Sequence, residues 1–301
     1  MYKAYTPQTL NDFIGEKNIV EDLKINISAA RLGGRAVEHL LMSGSAGLGK
    51  TTLARIIANE MGSKLYEFPA ASVKAINQLD YMIYQLKKFD ILFIDEIHNL
   101  KASIAENMYT LMESGTYNRV CVPPFTLIGA TNYAGNIDKP LRDRMVHKYT
   151  FKEYSTEDLA LILTYNGAPT DVAVQIALRS RGVPRIARNY WIKVSNNAQS
   201  KGIDVSVDAC TEVFNRLIVD EIGLNEEDVN VLNYLRENGA FEVRRAIGEK
   251  AICTALSIEE VDYRTIVEPH LMRLGLVGRT VRGRVLTSTG IDYINKKMLD
   301  N

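Results

Sequence analysis

One glycine-rich segment has the composition and spacing of a site that holds phosphate groups. Residues 44–51 read Gly-Ser-Ala-Gly-Leu-Gly-Lys-Thr, which matches G-x-x-x-x-G-K-T, between an apolar stretch and a helical run. Glycines let backbone N–H groups turn inward around phosphates, and a helix N-terminus adds the positive end of its dipole. The Lys50 ammonium would meet the outer phosphates, and the Thr51 hydroxyl would bind Mg²⁺. The residues expected to contact the nucleotide are Gly44, Gly47, Leu48, Gly49, Lys50, Thr51 and Thr52.

Two adjacent carboxylates follow a second apolar stretch. Asp95 and Glu96 come directly after the run Ile91-Leu92-Phe93-Ile94, and open α/β sheets place their ligand chemistry where strands end. We predict that Asp95 binds Mg²⁺ and that Glu96 polarises the attacking water beside the γ-phosphate. The alternative is that this pair only caps the next helix. His98 is expected to be a packed or loop residue.

The elements that would position these side chains alternate along the first half of the chain. Continuous apolar runs separated by helical stretches predict a parallel sheet that is covered on both faces, and therefore an α/β nucleotide-binding domain. The runs are at residues 39–42, 65–68, 91–94, 126–128 and 149–151.

Strand signals cease at Ser155 and helical spacing takes over. Four segments with Ser, Thr or Asp near their starts predict a small helical domain; they cover 156–164, 170–181, 186–200 and 206–217. Three further helices, followed by two short strands around a basic turn, predict a winged helix. These helices cover 225–236, 243–256 and 261–274, and the strands cover 276–279 and 284–287.

Composition narrows the class of protein. A chain of 301 residues with 46% hydrophobic residues is an ordinary globular protein of two or three domains. No signal segment or long apolar run is visible, which predicts a cytoplasmic location. The three cysteines are too far apart to indicate a zinc site or a disulfide framework. Because 36 basic and 36 acidic residues balance, any contact with DNA must be local.

Several longer segments resemble the RuvB family of AAA+ motors in the same order along the chain. They include residues 47–54, 92–98, 123–131, 140–144, 180–187, 219–224 and 279–284, together with 9–15 near the N-terminus. This resemblance covers nearly the whole chain. It implies a large ATPase domain at 1–153, a helical lid at 154–222 and a winged-helix DNA-binding domain at 223–301.

The resemblance also implies roles for residues outside the phosphate loop. Asn132 would be the sensor that hydrogen-bonds the attacking water or the γ-phosphate. Arg144 would be an arginine finger that reaches the γ-phosphate of a neighbouring subunit. Its alternative is a surface ion pair with Asp143, and the sequence leaves the choice between Arg142 and Arg144 open.

Further implied contacts surround the nucleotide. Arg185 would be the lid arginine that couples the state of the nucleotide to the lid angle. Tyr154, together with Tyr5 and Ile14, would flank the adenine, although residues of these types are otherwise expected in a core.

The basic turn of the predicted wing is a candidate DNA contact. Arg279, Arg282 and Arg284 suit the phosphate backbone without reading bases. Arg264 and Arg273 on the preceding helix could extend the patch. The alternatives are a solvated hairpin with incidental charge, and a winged helix used for protein contacts.

The chain departs from the family at two places. Where the family has a Gly-Pro-Pro-Gly turn, residues 44–47 read Gly-Ser-Ala-Gly, which a phosphate loop tolerates. Only nine residues, 114–122, separate Glu113 from Pro123, where the family carries a longer β-hairpin that docks the partner RuvA. The short segment leaves the partnership with RuvA open, and a divergent or phage-encoded homologue with another loader is the alternative.

The resemblance thus implies an ATP-dependent motor that drives branch migration of four-way (Holliday) junctions in recombination and repair. A finger supplied in trans requires a homo-oligomer, with a hexameric ring around duplex DNA as the family precedent. A clamp-loader-like AAA+ switch and an ATP-assembled DNA-binding regulator are the alternatives.

Overall fold

The computed structural model describes residues 5–70 and 76–299. Its contacts divide the chain into two compact units. The first contains the residues up to Ala173 together with Gly182–Asn189, and the second contains Val174–Arg181 together with the residues from Tyr190 onward. Since the predicted lid, 154–222, contributes to both units, the three-domain division stays a prediction.

A five-stranded parallel sheet forms the centre of the first unit, in the order β2-β3-β6-β1-β7. Its strands are β1 (Leu40–Ser43), β2 (Leu65–Pro69), β3 (Ile91–Asp95), β6 (Thr126–Thr131) and β7 (His147–Thr150). The predicted α/β class is confirmed.

Helices cover both faces of this sheet, because side chains alternate between two hydrophobic cores. On β1, Leu40 and Met42 lie in one core and Leu41 lies in the other. The helices up to residue 165 are α1 (Lys17–Leu32), α2 (Lys50–Met61), α3 (Ile76–Gln85), α4 (Ala102–Ser114), α5 (Lys139–Arg144) and α6 (Thr156–Tyr165).

The segment between α4 and β6 is a very short hairpin. Strands β4 (Thr116–Tyr117) and β5 (Val120–Cys121) pair antiparallel. Asn118 and Arg119 both have positive φ, 46° and 67°, as a two-residue hairpin turn requires.

Helices dominate the rest of the chain. They are α7 (Thr170–Arg179), α8 (Pro184–Lys201), α9 (Val207–Leu217), α10 (Glu226–Glu237) and α11 (Glu249–Leu256). A further helical segment, Glu260–Arg273, includes a π-helical stretch at Tyr263–Val267. The helices from α10 onward pack with β8 (Val277–Thr280) and β9 (Gly283–Leu286) around one core, which confirms the winged helix.

Two details of the winged helix differ from the prediction. The predicted helix 243–256 is interrupted, because Ile247 pairs with Arg284 of β9 and only Glu249–Leu256 is α-helical. A final helix, Ser288–Leu299, follows β9 and was missing from the prediction. No helix among the described residues combines the length and the apolar character needed to span a membrane.

Candidate functional site

A cleft of about 490 Å³ in the first unit lies at the carboxyl ends of β1, β3 and β6. It brings together most of the predicted nucleotide-binding and catalytic residues. Those that line it are Gly47, Gly49, Lys50, Thr51, Thr52, Asp95, Glu96, Asn132, Tyr154 and Arg185, with Tyr5 and Ile14. Gly44 and Leu48 belong to the same loop, and Leu48 is buried in the adjacent core.

Glycine is required in this loop by close approach as well as by backbone angle. Gly47 has φ 85°, and a Cβ there would lie 2.7 Å from Cβ of Arg185. Gly49 has φ 101° and precedes the first residue of α2. The loop therefore turns directly into a helix N-terminus, which favours bound anions.

Lys50 is held in a buried position with its ammonium group directed to the cleft. Its Nζ donates hydrogen bonds to the carbonyl oxygens of Gly44 (2.6 Å) and Ser45 (2.9 Å), and to Oδ1 of Asn132 (2.9 Å). Burial lowers its pKa to about 8, although the carboxylates of Glu96 and Asp95 act in the opposite direction.

Asn132 connects the lysine to the predicted water-activating carboxylate. Its Nδ2 donates to Oε1 of Glu96 at 2.8 Å, while its Oδ1 accepts from Lys50. His98 lies against the other carboxylate oxygen of Glu96, at 3.2 Å, and contacts Oγ1 of Thr131 at 2.9 Å. The side chain of His98 is thus packed at the edge of this network, in agreement with the role expected for it.

The donor set in the cleft fits a magnesium ion. Thr51 and Asp95 both line it, and a hydroxyl with a carboxylate is the partial oxygen set that Mg²⁺ accepts when phosphates and water complete its shell. Among the described residues no group of three or more His, Cys, Asp or Glu side chains could hold a metal on its own.

The far end of the cleft contains residues that the sequence did not single out. Asn166, which is 9% exposed, accepts the backbone N–H of Tyr5 on Oδ1 at 2.7 Å and donates to the carbonyl of Ile162 at 2.7 Å. The rings of Tyr5 and Tyr165 stack with centroids 5.0 Å apart. The pair Asn166-Gly167 reads only as the end of a helix, so no sequence signal pointed to this contact.

Tyr154 and Arg185 approach the phosphate loop from a different segment. The Tyr154 hydroxyl donates to the carbonyl of Leu48 at 3.2 Å, and its backbone N–H donates to Gly182 at 2.8 Å. Burial raises the pKa of Tyr154, which leaves its hydroxyl a neutral donor. Arg185 and Arg188 are exposed in the cleft.

Neither candidate finger lines this cleft. Arg144 donates to Glu113 at 2.9 Å and to the carbonyl of Pro140 at 3.0 Å, and it lies over the ring of Tyr109. Its partner is therefore Glu113 rather than Asp143. Arg142 is partly exposed and makes no ion pair with the described residues.

The three arginines of the wing that were predicted to bind DNA differ in their exposure to solvent. Arg282 is exposed, and the Arg279 side chain is 56% exposed at 3.8 Å from Glu268. Arg284 was misplaced in the DNA-contact prediction, because it is buried and paired with Glu268 and Glu249, both at 2.6 Å. Two carboxylates neutralise it inside the winged helix.

The two arginines expected to extend the basic patch are also engaged elsewhere. Arg264 pairs with Glu249 at 2.5 Å. Arg273 donates to the carbonyl of Arg181 at 2.7 Å. We therefore leave both out of the candidate DNA contact.

Two family models match the chain. The P-loop domain of the Holliday junction DNA helicase RuvB matches residues 5–151, and the RuvB C-terminal winged helix domain matches residues 221–295. The Holliday junction branch migration complex subunit RuvB of Ehrlichia ruminantium is 34% identical over 97% of this chain and 92% of its own length. That of Paramagnetospirillum magneticum is 36% identical over 96% and 88%.

Solved structures give the same result. The Thermotoga maritima RuvB Holliday junction branch migration motor superposes with a TM-score of 0.86 and 30% identity over 96% of this chain and 98% of that chain. The Aeropyrum pernix ORC2 protein, 16% identical with a TM-score of 0.59, shares the fold. Both the phosphate-loop cleft and the winged helix therefore lie within regions that match one family over almost the full length, and the chain belongs to the RuvB family.

Proposed function

We propose that this protein is an ATP-dependent DNA motor that drives branch migration of four-way junctions in recombination and repair. The observation that carries the proposal is the bonded series Lys50, Asn132 and Glu96 in a phosphate-loop cleft. Asn132 makes one hydrogen bond to the lysine proposed to bind the phosphates and one to the carboxylate proposed to activate water. Membership of the RuvB family, whose curated members carry the name of the branch migration subunit, supports the DNA task.

The cleft residues divide the work of phosphoryl transfer. Loop amides from Gly44 to Thr51 and the Lys50 ammonium bind the phosphates, and Thr51 and Asp95 hold Mg²⁺, which would neutralise charge on the phosphate oxygens. Glu96 orients and polarises the attacking water. Asn132 fixes the Glu96 carboxylate and lies close enough to Lys50 to report the presence of the γ-phosphate.

Each active site is completed by a second copy of the chain. Arg144 is the proposed finger, and Arg142 is the second candidate. Since neither lines the cleft of its own subunit, hydrolysis requires a neighbour that inserts its guanidinium. A head-to-tail contact of this kind generates a ring, and we propose a hexamer around duplex DNA.

Movement passes from the nucleotide to the winged helix. Within the proposed domains 1–153, 154–222 and 223–301, Arg185 senses the nucleotide from the lid. Arg279 and Arg282 hold the DNA backbone, since both are exposed on the wing. Work on DNA agrees with a cytoplasmic location.

The partner that loads the ring differs from the one expected for the family. With only two residues in each strand of the hairpin, β4 and β5 offer little surface for docking RuvA. We propose that this protein uses another loader or recognises junctions through the ring alone.

A branch-migration assay on a synthetic four-way junction tests the proposal. The purified protein should convert the junction to duplex arms when ATP and Mg²⁺ are present, and Lys50→Ala should not bind ATP. Glu96→Gln should bind ATP but hydrolyse it at least about 100-fold more slowly, since a general base typically contributes that much. Normal turnover by Glu96→Gln would refute the catalytic assignment. ATP hydrolysis without junction movement would instead favour a switch that opens another ring.

A further inference from the structure

Four exposed arginines lie along one edge of the winged helix, and only two of them belong to the wing. Arg244 and Arg245 are in the segment that connects α10 to α11, while Arg279 and Arg282 are in β8 and the turn after it. We call these four residues the arginine edge. The pair Arg244-Arg245 takes no part in the proposed nucleotide site or in the proposed DNA contact of the wing.

The backbone holds the two pairs together. Ile247 exchanges backbone hydrogen bonds with Arg284 of β9 (2.8 and 3.0 Å), and the Leu286 N–H donates to the carbonyl of Ala240 at 2.7 Å. Both ends of the segment 240–247 are therefore tied to β9, and the residues between them include the 3-10 turn Val243–Arg245. Gly283 fixes this approach, because a Cβ at that position would lie 2.3 Å from the Ile247 carbonyl oxygen.

The arginine edge keeps its positive charge. The Arg244 side chain is 83% exposed and, within the described part of the chain, forms an ion pair with Glu242 alone, which is itself 64% exposed. Arg245 and Arg282 are exposed and make no ion pair with the described residues. The nearest carboxylate to Arg279, that of Glu268, is already bonded to the buried Arg284. Among the described residues, the four arginines thus have ion pairs only with the exposed Glu242 and with Glu268, whose charge is shared with Arg284.

The spacing suits a polyanion rather than a single small anion. Arg245 and Arg282 lie two residues from the Ile247–Arg284 bridge, on opposite sides of it. Arg282 precedes β9, whose extended backbone rises about 3.3 Å per residue, and Arg245 ends the 3-10 turn on the other side of the bridge. DNA carries one phosphate per about 3.4 Å on each strand. The edge can thus meet several phosphates along one backbone, without base-specific contacts.

We infer that Arg244 and Arg245 form, with the wing, a continuous phosphate-contact surface for duplex DNA. This rests on the proposed function, and it adds a second anchoring point outside the wing. The contact is electrostatic and independent of sequence, so its signature is the dependence of affinity on salt concentration.

The test compares salt dependence in matched variants of the full-length chain. The double variant Arg244→Gln/Arg245→Gln should lower the slope of log affinity for duplex DNA against log salt by about 1.8, because each phosphate that a side chain neutralises contributes about 0.9 to that slope. Its thermal unfolding and its ATPase rate without DNA should match those of the unmodified protein, since both side chains are exposed.

The control removes the same charge elsewhere in the second unit. Lys193→Gln/Lys201→Gln also deletes one exposed cation without an ion pair among the described residues and one paired with an exposed glutamate, Glu212; its slope should not change. Should the arginine double variant keep the original slope while the unmodified protein binds DNA, this inference is wrong and the proposed function stands. Absence of salt-dependent DNA binding by the unmodified protein would overturn both.

Discussion

Lys50 has a lowered pKa that makes nucleotide binding sensitive to pH. Burial reduces its pKa to about 8, and Arg185 adds to this reduction. Phosphate oxygens would favour the charged ammonium and raise the pKa on binding. Below pH 8 the lysine is already charged, so binding takes up no proton there. Above pH 8 binding requires protonation, so ATP affinity falls as pH rises.

We therefore expect close to one proton to be taken up per ATP bound at pH 9, and close to none at pH 7. Isothermal titration calorimetry in buffers of different ionisation enthalpy measures this number. The matched variant Lys50→Arg keeps the charge but does not titrate in this range, and should take up none at either pH. Equal uptake by the two proteins at pH 9 would assign the proton to another group.

Most of the candidate catalytic side chains could be predicted from the sequence because their spacing is local. The phosphate loop, Asp95 and Glu96 each follow a recognisable strand within one short segment. The bond between Asn132 and Lys50 joins residues 82 positions apart, and only the resemblance pointed to Asn132. The burial of Arg284 could not be predicted, because the carboxylates that neutralise it come from two other segments.

At the scale of elements, Asn166 closes the far end of the cleft by joining helix α6 to the N-terminal segment that carries Tyr5. Asn166→Ala should raise the KM for ATP about 5- to 10-fold, which corresponds to the loss of one buried hydrogen bond, with kcat nearly unchanged. The physical reason is that Tyr5, which is proposed to flank the adenine, loses the hydrogen bond that fixes its backbone.

Inorganic triphosphate separates this effect from damage to the phosphate loop. It lacks a base, so its inhibition constant should be the same for Asn166→Ala and for the unmodified protein. An equal loss of affinity for triphosphate and for ATP would mean that Asn166 supports the whole cleft instead.

The winged helix contains a buried ionic cluster in which Arg284 is the cation shared by Glu268 and Glu249. Arg284→Gln leaves the carboxylates of Glu268 and Glu249 without their buried cation, and should destabilise this unit by about 3 kcal/mol or more. The neighbouring Arg282→Gln, at an exposed position, should change stability by less than about 0.5 kcal/mol. Urea unfolding monitored by hydrogen exchange of peptides from 224–294 distinguishes them. Equal stability of the two variants would contradict the structural role of Arg284.

Continuous apolar runs predicted the strands best where both faces of a strand are buried. The three central strands β1, β3 and β6 are almost fully buried on both faces, whereas the edge strands β2 and β7 are only partly buried and expose Glu67 and Lys148. The helix Ser288–Leu299 starts two residues after β9 ends at Leu286, and the sequence prediction stopped at the second strand of the wing. The interruption before Glu249 could not be predicted, since it depends on pairing between Ile247 and a strand 37 positions away.

At the scale of the whole molecule, the proposed ring can be tested by mixing inactive subunits. Arg144→Ala should lose about 10³-fold or more in ATP hydrolysis, and Lys50→Ala should lose nearly all. Mixed rings should recover activity, because a cleft with an intact Lys50 can face an intact Arg144. With equal amounts of the two variants, random assembly places an intact Lys50 next to an intact Arg144 in about a quarter of the sites. About a quarter of the unmodified protein's ATPase activity is therefore the expected maximum.

Arg142→Ala in place of Arg144→Ala decides between the two arginines. If Arg144 is the finger, Arg142→Ala alone should keep most of the activity. No recovery in any mixture would argue against a site shared between subunits.

Glu113 pairs with Arg144 within one chain, so the proposed arginine finger already has a counter-ion before it meets a neighbour's cleft. The guanidinium can give up this exposed carboxylate at little cost, so it favours a more highly charged partner, such as a triphosphate already bound in a neighbour's cleft. Binding of ATP by one subunit should therefore strengthen its interface with the next subunit. The order of hydrolysis around an assembly would then follow the order of ATP binding. Glu113, whose side chain is 70% exposed at the end of α4, would set how strongly each subunit interface depends on the nucleotide in the neighbouring cleft.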